Sequence, residues 1–358
     1  MTVQSSARVL SARLAAQALV PRVKSIEEAA RRLLCMQGQD LAAVKWALAV
    51  RTDGATERDV EAAFNSRALV RSWPLRGTLH ALPAEDLGWI LGLMHQKNLS
   101  KHVKRHRDLG LTDDDFARTR AVAERELAKS PLTREELLGA FERAKVSTAG
   151  QRGIHLIWKL AQRSVLCLAD FVDGDQRFAL IDDWIRKPRQ LTGDEALAEL
   201  AARYFEGHGP ATLEDFEWWC GLKKSDCVRA IKSAESAGVM AAASARIERA
   251  LQRKASAKLP PALLLPGFDE YFLGYTDRSA VLEAKYFERI VPGGNGVFQP
   301  MIVLHGRVVG TWRRKVDKKK VTLTLLPFAK KFTGTERAAI DSAARTFGAY
   351  LERDVVLA

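Results

Sequence analysis

The chain contains 358 residues, of which 47% are hydrophobic and 28% are charged. This size and composition are typical of two or three globular domains, and they exclude an intrinsically disordered chain. The formal net charge of +13 indicates a polyanionic partner, most often nucleic acid and next an acidic membrane surface. No run approaches the roughly 20 apolar residues of a membrane span, so we predict no membrane segment.

The cysteine pattern indicates a reducing compartment. No cysteine has the spacing of a zinc ligand, and most lie among apolar residues, as buried thiols do: Cys35, Cys167, Cys220 and Cys227. The basic N-terminus superficially resembles a transit peptide, but Leu10, Leu14 and Ala18 have helical spacing, which favours an ordinary first helix. We therefore predict a cytoplasmic, nucleoid-associated protein without structural zinc.

A helix is predicted from Ser25 to the tripeptide Gln37-Gly38-Gln39. Ser25 and Glu28 form a capping box, and Gly38 is a natural residue to end the helix. Residues two apart point about 200° from each other on a helix but to the same side of an extended segment. Both glutamine amides could therefore face one ligand if the helix ends here. The alternative is that they are solvated or bonded to the backbone.

Three stretches of the chain repeat one pattern, in which a threonine opens a helix and an acid follows three positions later. The pairs are Thr56 with Asp59, Thr133 with Glu136, and Thr212 with Asp215. After each pair we predict further helix and then two short strands: 69–73 with 77–81, 165–172 with 177–181, and a weaker pair near 239–247. This order is typical of winged-helix units, although capped helix pairs also occur in most mixed folds.

From residue 258 onward the pattern becomes β-rich, with apolar runs near 263–265, 301–304, 308–312 and 321–326, and an amphipathic helix at 335–351. We predict an α+β protein in which tandem winged-helix units precede a small C-terminal antiparallel, β-barrel-like domain with a terminal helix. The predicted boundaries are 1–95, 96–190, 191–257 and 258–358, with the two glutamines in the first unit.

Positive charge is concentrated in two clusters. One contains Lys97, Lys101, Lys104, Arg105 and Arg107, and the other contains Arg307, Arg313, Arg314, Lys315, Lys318, Lys319 and Lys320. Either could follow a phosphate backbone, although many basic runs are merely solvated. His102 and His106 are four residues apart and could share a metal, but their cationic neighbours oppose it.

Several sequence blocks in order resemble the winged-helix DNA glycosylase family of bacteria, the AlkZ type. They are Gln37-Gly38-Gln39, Trp73-Pro74-Leu75-Arg76-Gly77-Thr78-Leu79-His80, Gly209-Pro210-Ala211-Thr212, Leu265-Pro266-Gly267-Phe268-Asp269-Glu270-Tyr271 and Gly306-Arg307-Val308-Val309-Gly310-Thr311-Trp312. The resemblance spans nearly the whole chain. It implies a glycosylase that removes bulky alkylated purines and unhooks interstrand crosslinks in double-stranded DNA.

The resemblance also implies the catalytic residues. The family site is a Gln-x-Gln motif, often with an aliphatic middle residue, which corresponds to Gln37 and Gln39 with Gly38 as a departure. A purine alkylated at N7 is a good leaving group, so the enzyme must only stabilise an oxocarbenium-like sugar and direct a water, as in other glycosidic cleavages. The motif contains no amine nucleophile. We therefore expect a monofunctional glycosylase with no metal and no organic cofactor.

DNA contacts are predicted on two hairpins. Arg71, Arg76 and His80 are candidates for phosphate contacts near the site, with hairpin packing as the alternative. His305 and Arg307 form a candidate minor-groove probe, with simple turn chemistry as the alternative. The remaining candidates are Arg313, Lys318, Lys319 and Lys320.

Two other functions fit the composition. A winged-helix transcription regulator would bind DNA without turnover, with structural roles for Gln37 and Gln39. A protein-interaction scaffold descended from an enzyme would bind DNA weakly and with little salt dependence. We expect a monomer, because no long apolar heptad pattern demands a partner.

Overall fold

Helix caps encoded in the sequence determine where many helices begin in the computed structural model, which describes residues 3–241, 259–329 and 331–358. At Thr56, Thr133 and Thr212, the threonine hydroxyl accepts the backbone N–H of the residue three positions later. The acidic side chain of that later residue accepts the backbone N–H of the threonine. These three predicted capping pairs are confirmed. The same reciprocal bonds occur at Thr112 and Thr333. Each cap is worth about 1 kcal/mol, which favours one starting residue over its neighbours.

The helices follow in chain order: α1 (Val3–Ala16), α2 (Ile26–Leu33), α3 (Leu41–Ala49), α4 (Glu57–Asn65), α5 (Leu87–Asp108), α6 (Asp113–Leu127), α7 (Arg134–Arg143), α8 (Arg152–Gln162), α9 (Ile181–Trp184), α10 (Gly193–His208), α11 (Leu213–Cys220), α12 (Lys224–Ser236), α13 (Glu270–Leu273), α14 (Phe287–Ile290) and α15 (Gly334–Tyr350). The strands are β1 (Met36–Gln37), β2 (Leu69–Ser72), β3 (His80–Pro83), β4 (Leu166–Val172), β5 (Asp175–Leu180), β6 (Ala262–Leu265), β7 (Met301–Leu304), β8 (Arg307–Val316), β9 (Lys320–Pro327) and β10 (Asp354–Leu357). The mixture of helices and strands confirms the predicted α+β class.

The chain forms two compact units. The first combines Met1–Val60 with Leu197–Ala358, and the second is Glu61–Ala196. This grouping differs from the four predicted segments, whose boundaries stay a prediction. Residues 242–258, which include most of the weak hairpin predicted near 239–247, lie outside the described residues.

In the second unit, β2 pairs antiparallel with both β3 and β4, and β5 pairs with β4. The hairpins predicted at 69–81 and 165–181 are therefore present. Apolar side chains from α6, α7, α8 and the sheet form one core around Phe141, Leu156, Trp158 and Phe178. Burial of this apolar surface supplies the main stabilisation of the unit.

In the first unit, five strands form a sheet in the order β10-β9-β8-β7-β6. The strands from β6 to β9 are antiparallel, but β10 pairs parallel with β9. The sheet is open, with β10 and β6 at its edges, so the predicted antiparallel, barrel-like closure is wrong. The helix α15 explains the difference, because it packs against β6 and β10 and returns the chain to the β9 edge.

The core of the first unit is rich in aromatic side chains. Trp46 contacts Phe347 and Tyr350, and Trp312 also contacts Phe347. The two indole N–H groups donate to the carbonyls of Leu264 and Leu265, at 2.7 and 2.9 Å, so both tryptophans are buried without losing a hydrogen bond. Within the described ranges, no helix has the length and apolar character that crossing a membrane requires.

Candidate active site

The two glutamines lie in the segment Met36–Asp40, which begins with the two-residue strand β1 and which we call the glutamine loop. The preceding helix α2 ends at Leu33, because Leu34 adopts a positive φ of 61°. The prediction that Gly38 ends this helix is therefore wrong, since the helix stops at Leu33, five residues before Gly38. Asp40 then caps α3 by accepting the Ala43 N–H at 3.0 Å.

The glutamines differ in exposure. Gln37 is extended in β1 and only 9% of its surface is exposed, whereas the Gln39 side chain faces solvent. The exposed amide of Gln39 can accept a hydrogen bond from water. The buried Gln37, two positions before it, has less freedom to move. The early helix end leaves Gln37 and Gln39 outside α2, as the sequence argument required, although a different residue ends the helix. That both amides face one ligand stays a prediction.

The backbone of Gln37 is fixed by a buried acid. Its N–H donates to Glu270 Oε1 at 3.1 Å, and Glu270 is 1% exposed. The second carboxylate oxygen accepts the Trp219 indole N–H at 3.1 Å and lies 3.3 Å from His208 Nε2. Both oxygens of this buried carboxylate therefore have polar partners, and one of them holds the backbone of the glutamine loop.

The residue before Glu270 belongs to a second buried pair. Asp269 accepts two bonds from the Arg51 guanidinium, at 2.8 and 2.9 Å, and both side chains are fully buried. Arg51 also donates to the Gln17 side chain at 3.0 Å, and Gln17 donates to the Glu270 carbonyl at 3.1 Å. Removing one partner of such a pair costs about 3–5 kcal/mol. The segment that carries Glu270 is thus held rigidly.

This supporting network was not predicted. The block from Leu265 to Tyr271 contributed to the family resemblance, but its acids received no role. A signal was present, because Asp269 and Glu270 are adjacent acids in an otherwise apolar segment, and buried acids require partners. The partners of these two acids lie far away in sequence, from 51 positions for Trp219 to 218 for Arg51 and 233 for Gln37, so the sequence did not identify them.

In the first hairpin, which β2 and β3 form, the residues predicted to contact DNA are buried or half-buried. His80 is completely buried, and its Nδ1–H donates to the Thr78 carbonyl at 2.8 Å. Burial, reinforced by the charge of Arg76, lowers the pKa of His80 to about 3, so the ring is neutral near pH 7. A neutral buried ring does not contact a phosphate, so that role of His80 is wrong. Arg71 is half-buried and donates to Gln176 at 2.6 Å, and Arg76 is half-buried.

The C-terminal hairpin region, which consists of β7, β8, β9 and the turns between them, exposes the residues predicted to contact DNA. His305 and Gly306 form a two-residue turn with φ of 47° and 80°, which matches the tight turn that a β-hairpin prefers. The Gly306 carbonyl accepts the Tyr271 hydroxyl at 2.8 Å, which fixes the turn from inside. His305 and Arg307 are exposed, and so are the remaining candidates, Arg313, Lys318, Lys319 and Lys320.

The histidines considered for a metal lie in the second unit. His102, His106 and His155 have ring centroids 5.3–6.0 Å apart. Burial and the charges of neighbouring His155 and Lys159 lower the pKa of His106 to about 4. In the described part of the chain, no group of three or more His, Cys, Asp or Glu residues is arranged to hold a metal ion.

The predicted burial of the cysteines is confirmed: Cys35, Cys167, Cys220 and Cys227 are all buried free thiols. Burial raises the pKa of the Cys167 thiol to about 12, which leaves it protonated and unreactive near neutral pH.

Comparison with known proteins identifies the family. The family model described as DNA glycosylase AlkZ-like matches residues 30–350. A curated relative, the interstrand DNA cross-link repair glycosylase of Streptomyces sahachiroi, is 27% identical over 340 residues, which is 90% of each chain. The solved structure of Streptomyces sahachiroi DNA glycosylase AlkZ matches with a TM-score of 0.76 over 100% of both chains at 23% identity, which shows a shared fold. The resemblance inferred from the sequence blocks is confirmed, and the protein belongs to the DNA glycosylase AlkZ-like family.

Proposed function

We propose that this DNA glycosylase hydrolyses the N-glycosidic bond of bulky N7-alkylated purines in double-stranded DNA. The observation that carries the proposal is the glutamine loop, in which Gln39 is exposed next to Gln37, whose backbone is held by the buried Glu270. A water needs a preorganised acceptor to be directed at a sugar carbon, and this arrangement supplies one.

The chemistry requires little from the protein beyond positioning. An N7-alkylated purine carries positive charge, so its glycosidic bond is weakened and it departs without acid catalysis. The amide oxygens of Gln37 and Gln39 accept hydrogen bonds from the attacking water, and their dipoles stabilise the oxocarbenium-like sugar. The products are a free base and an abasic site. Since the motif has no amine, no covalent intermediate forms on it.

Recognition of DNA in this proposal is electrostatic. In this proposal the exposed residues of the C-terminal hairpin region contact phosphates, and His305 and Arg307, which are exposed at the tight His305–Gly306 turn, enter the minor groove. The exposed lysines of α5 add a second basic surface. The protein acts as a monomer in the cytoplasm, with tandem winged-helix units as its DNA-binding scaffold.

Interstrand crosslinks are part of the proposed substrate range. The relative from Streptomyces sahachiroi is described as a cross-link repair glycosylase. A crosslinked base cannot rotate freely out of the duplex, which disfavours a deep base-flipping pocket. An exposed Gln39 is compatible with a nucleotide that stays within the duplex.

The test uses duplex DNA that carries a single N7-alkylguanine, with abasic sites scored after alkaline cleavage. We expect the wild-type protein to release the base and Gln39→Ala to lose about 10²–10³-fold in excision rate, because a preorganised transition-state contact is removed. DNA affinity should not change. Cleavage by neither protein, across methyl and bulky adducts, would instead indicate a DNA-binding regulator.

A further inference from the structure

We propose that Glu270 is a positioning residue for base excision, which acts by holding the backbone of Gln37. The inference rests on the proposed function, because it assigns Glu270 to the same reaction. Glu270 does not face solvent, so it cannot touch substrate. Its effect passes through the hydrogen bond from the Gln37 N–H to Oε1, at 3.1 Å.

The geometry of Glu270 divides its two oxygens between two tasks. Oε1 accepts from the glutamine loop, and Oε2 accepts from the Trp219 indole, which fixes the rotation of the carboxylate plane. The backbone of Glu270 is fixed independently, because its carbonyl accepts the Gln17 amide and Asp269 caps the short helix α13. The anchor is thus held at both its backbone and its side chain.

His208 completes the polar contacts of the buried carboxylate. Its Nε2 lies 3.3 Å from Glu270 Oε2, and its Nδ1 lies 3.2 Å from the Tyr204 carbonyl oxygen. A buried carboxylate requires polar partners, and Oε2 has two of them, the Trp219 indole and the His208 ring.

The position of His208 is itself determined by packing. Its ring stacks on Tyr204 with centroids 4.6 Å apart, and a methyl group added at Gly274 would lie only 2.6 Å from its Cδ2 atom. The Tyr275 hydroxyl donates to the His208 carbonyl at 2.7 Å. His208 has little room to move away from Glu270, so the carboxylate keeps its orientation toward Gln37.

The experiment measures amide hydrogen exchange of the Gln37 N–H by NMR, together with excision rate and DNA affinity. In Glu270→Ala we expect exchange at Gln37 to accelerate by about 10–100-fold, since a hydrogen bond to a charged acceptor is lost. The excision rate should fall by about 10–100-fold through misplacement of the glutamines, with DNA affinity unchanged. Glu270→Gln keeps a carbonyl oxygen for Gln37 and should recover part of both losses.

The matched control is Asp86→Asn in the other compact unit. Asp86 is also fully buried, and it accepts an indole N–H from Trp89 at 2.8 Å and a guanidinium N–H from Arg189 at 3.0 Å. This variant alters a buried carboxyl group that has a similar set of partners. Unlike Glu270, Asp86 makes no hydrogen bond to the Gln37 N–H. We expect Asp86→Asn to lower stability and to leave both the Gln37 exchange rate and the excision rate unchanged.

Three outcomes overturn the proposal. The first is an unchanged Gln37 exchange rate in Glu270→Ala. The second is equal acceleration at every amide of the first unit, which would mean general destabilisation. The third is accelerated Gln37 exchange with a wild-type excision rate. If Glu270→Ala does not fold, the same three criteria apply to Glu270→Met, which also removes both acceptor oxygens. Exchange is measured without substrate, so a wild-type protein that excises nothing would refute the proposed function separately from the anchoring contact.

Discussion

The loop between β2 and β3 is fastened by side chains of neighbouring helices, whereas the loop between β8 and β9 carries exposed lysines. Carbonyls in the first loop accept bonds from Gln162 at 2.6 Å, from Asn98 at 3.0 Å and from Trp158 at 3.1 Å. In the second loop, Lys318 and Lys319 face solvent. Both hairpins contain basic residues and aromatic neighbours, but only the second has exposed basic side chains.

The two hairpins differ in exposure: the charges of a basic hairpin remain accessible only when its polar face stays in water. Trp73 and Leu75, which are apolar residues of the first loop, are buried, and His80 is buried with them. In the C-terminal hairpin region the apolar anchor is Trp312, whereas its neighbour Arg313 points to the opposite side of the strand and remains exposed. Alternation along a strand separates the two faces, and packing decides which face is covered.

The largest effect is expected at His80 as a dependence of stability on pH. The folded-state pKa of about 3 lies below the usual value near 6.5, so the unfolded chain binds the proton first as the pH falls. The free energy of unfolding should therefore decrease by about 1.4 kcal/mol for each pH unit between about 6.5 and 3 through this group. Urea unfolding of wild type and His80→Gln at several pH values measures the contribution.

In His80→Gln, the free energy of unfolding should depend less steeply on pH than in wild type, by the contribution of one proton, but it should still depend on pH. His106, whose pKa burial lowers to about 4, still contributes in the variant. Equal slopes for the two proteins would mean that His80 is accessible to protons in the folded state, and the contrast between the hairpins would fail.

The next effect concerns the exposed lysines. Replacing Lys318, Lys319 and Lys320 together by glutamine should reduce the slope of log K against log salt by about 2.7, if all three contact phosphates. The association constant near 0.2 M salt should fall by about 10–100-fold. Fluorescence anisotropy with an unmodified duplex measures both quantities.

A control triple variant changes the same number of charges on α6 and just after its end: Arg120→Gln, Arg125→Gln and Lys129→Gln. These side chains are also exposed, but each pairs with a neighbouring glutamate. We expect little change in the salt slope. Equal slopes for the lysine variant and wild type would place the DNA on another surface.

A smaller effect is expected at Arg71 in the first hairpin. Arg71→Gln removes the donor to Gln176 from a half-buried position, so the free energy of unfolding should fall by about 1–2 kcal/mol. The salt slope of DNA binding should stay at the wild-type value. A reduced slope with normal stability would show that Arg71 contacts phosphate.

The smallest effect is expected for the matched change at Arg313. This residue lies within a strand, as Arg71 does, but its side chain is exposed. Arg313→Gln should reduce the salt slope by about 0.9 and weaken binding near 0.2 M salt by about fourfold, with stability unchanged. Loss of stability without a change in slope would reverse the comparison with Arg71.

Much of the local structure was predictable because its causes are local. A threonine and an acid three residues apart satisfy each other's backbone groups, and this requires nothing from the rest of the chain. The strands near 165–172 and 301–304 were predictable from apolar β-branched runs between turn residues. The parallel strand β10 was not, because its pairing with β9 depends on the return of the chain along α15.

The candidate site was predictable in its residues but not in its support. Gln37 and Gln39 are two residues apart in sequence and belong to a recognisable motif, and the family prediction that rests partly on them is confirmed. The end of α2 at Leu33 was missed because the positive φ of the next residue, Leu34, is rarely adopted by leucine, and only the surrounding packing makes it tolerable.

The sequence by itself determined the helix starts and the pair of glutamines, since each depends on residues within a few positions of one another. It also determined the family, through several local blocks spread along the chain. Only the tertiary structure decided that Glu270 meets the Gln37 N–H, that Arg51 pairs with Asp269, and that His80 is buried. These contacts join residues far apart in the chain or depend on which face is covered. Hydrophobic burial selects the face, and the buried polar groups then require partners that are known only once the chain has folded.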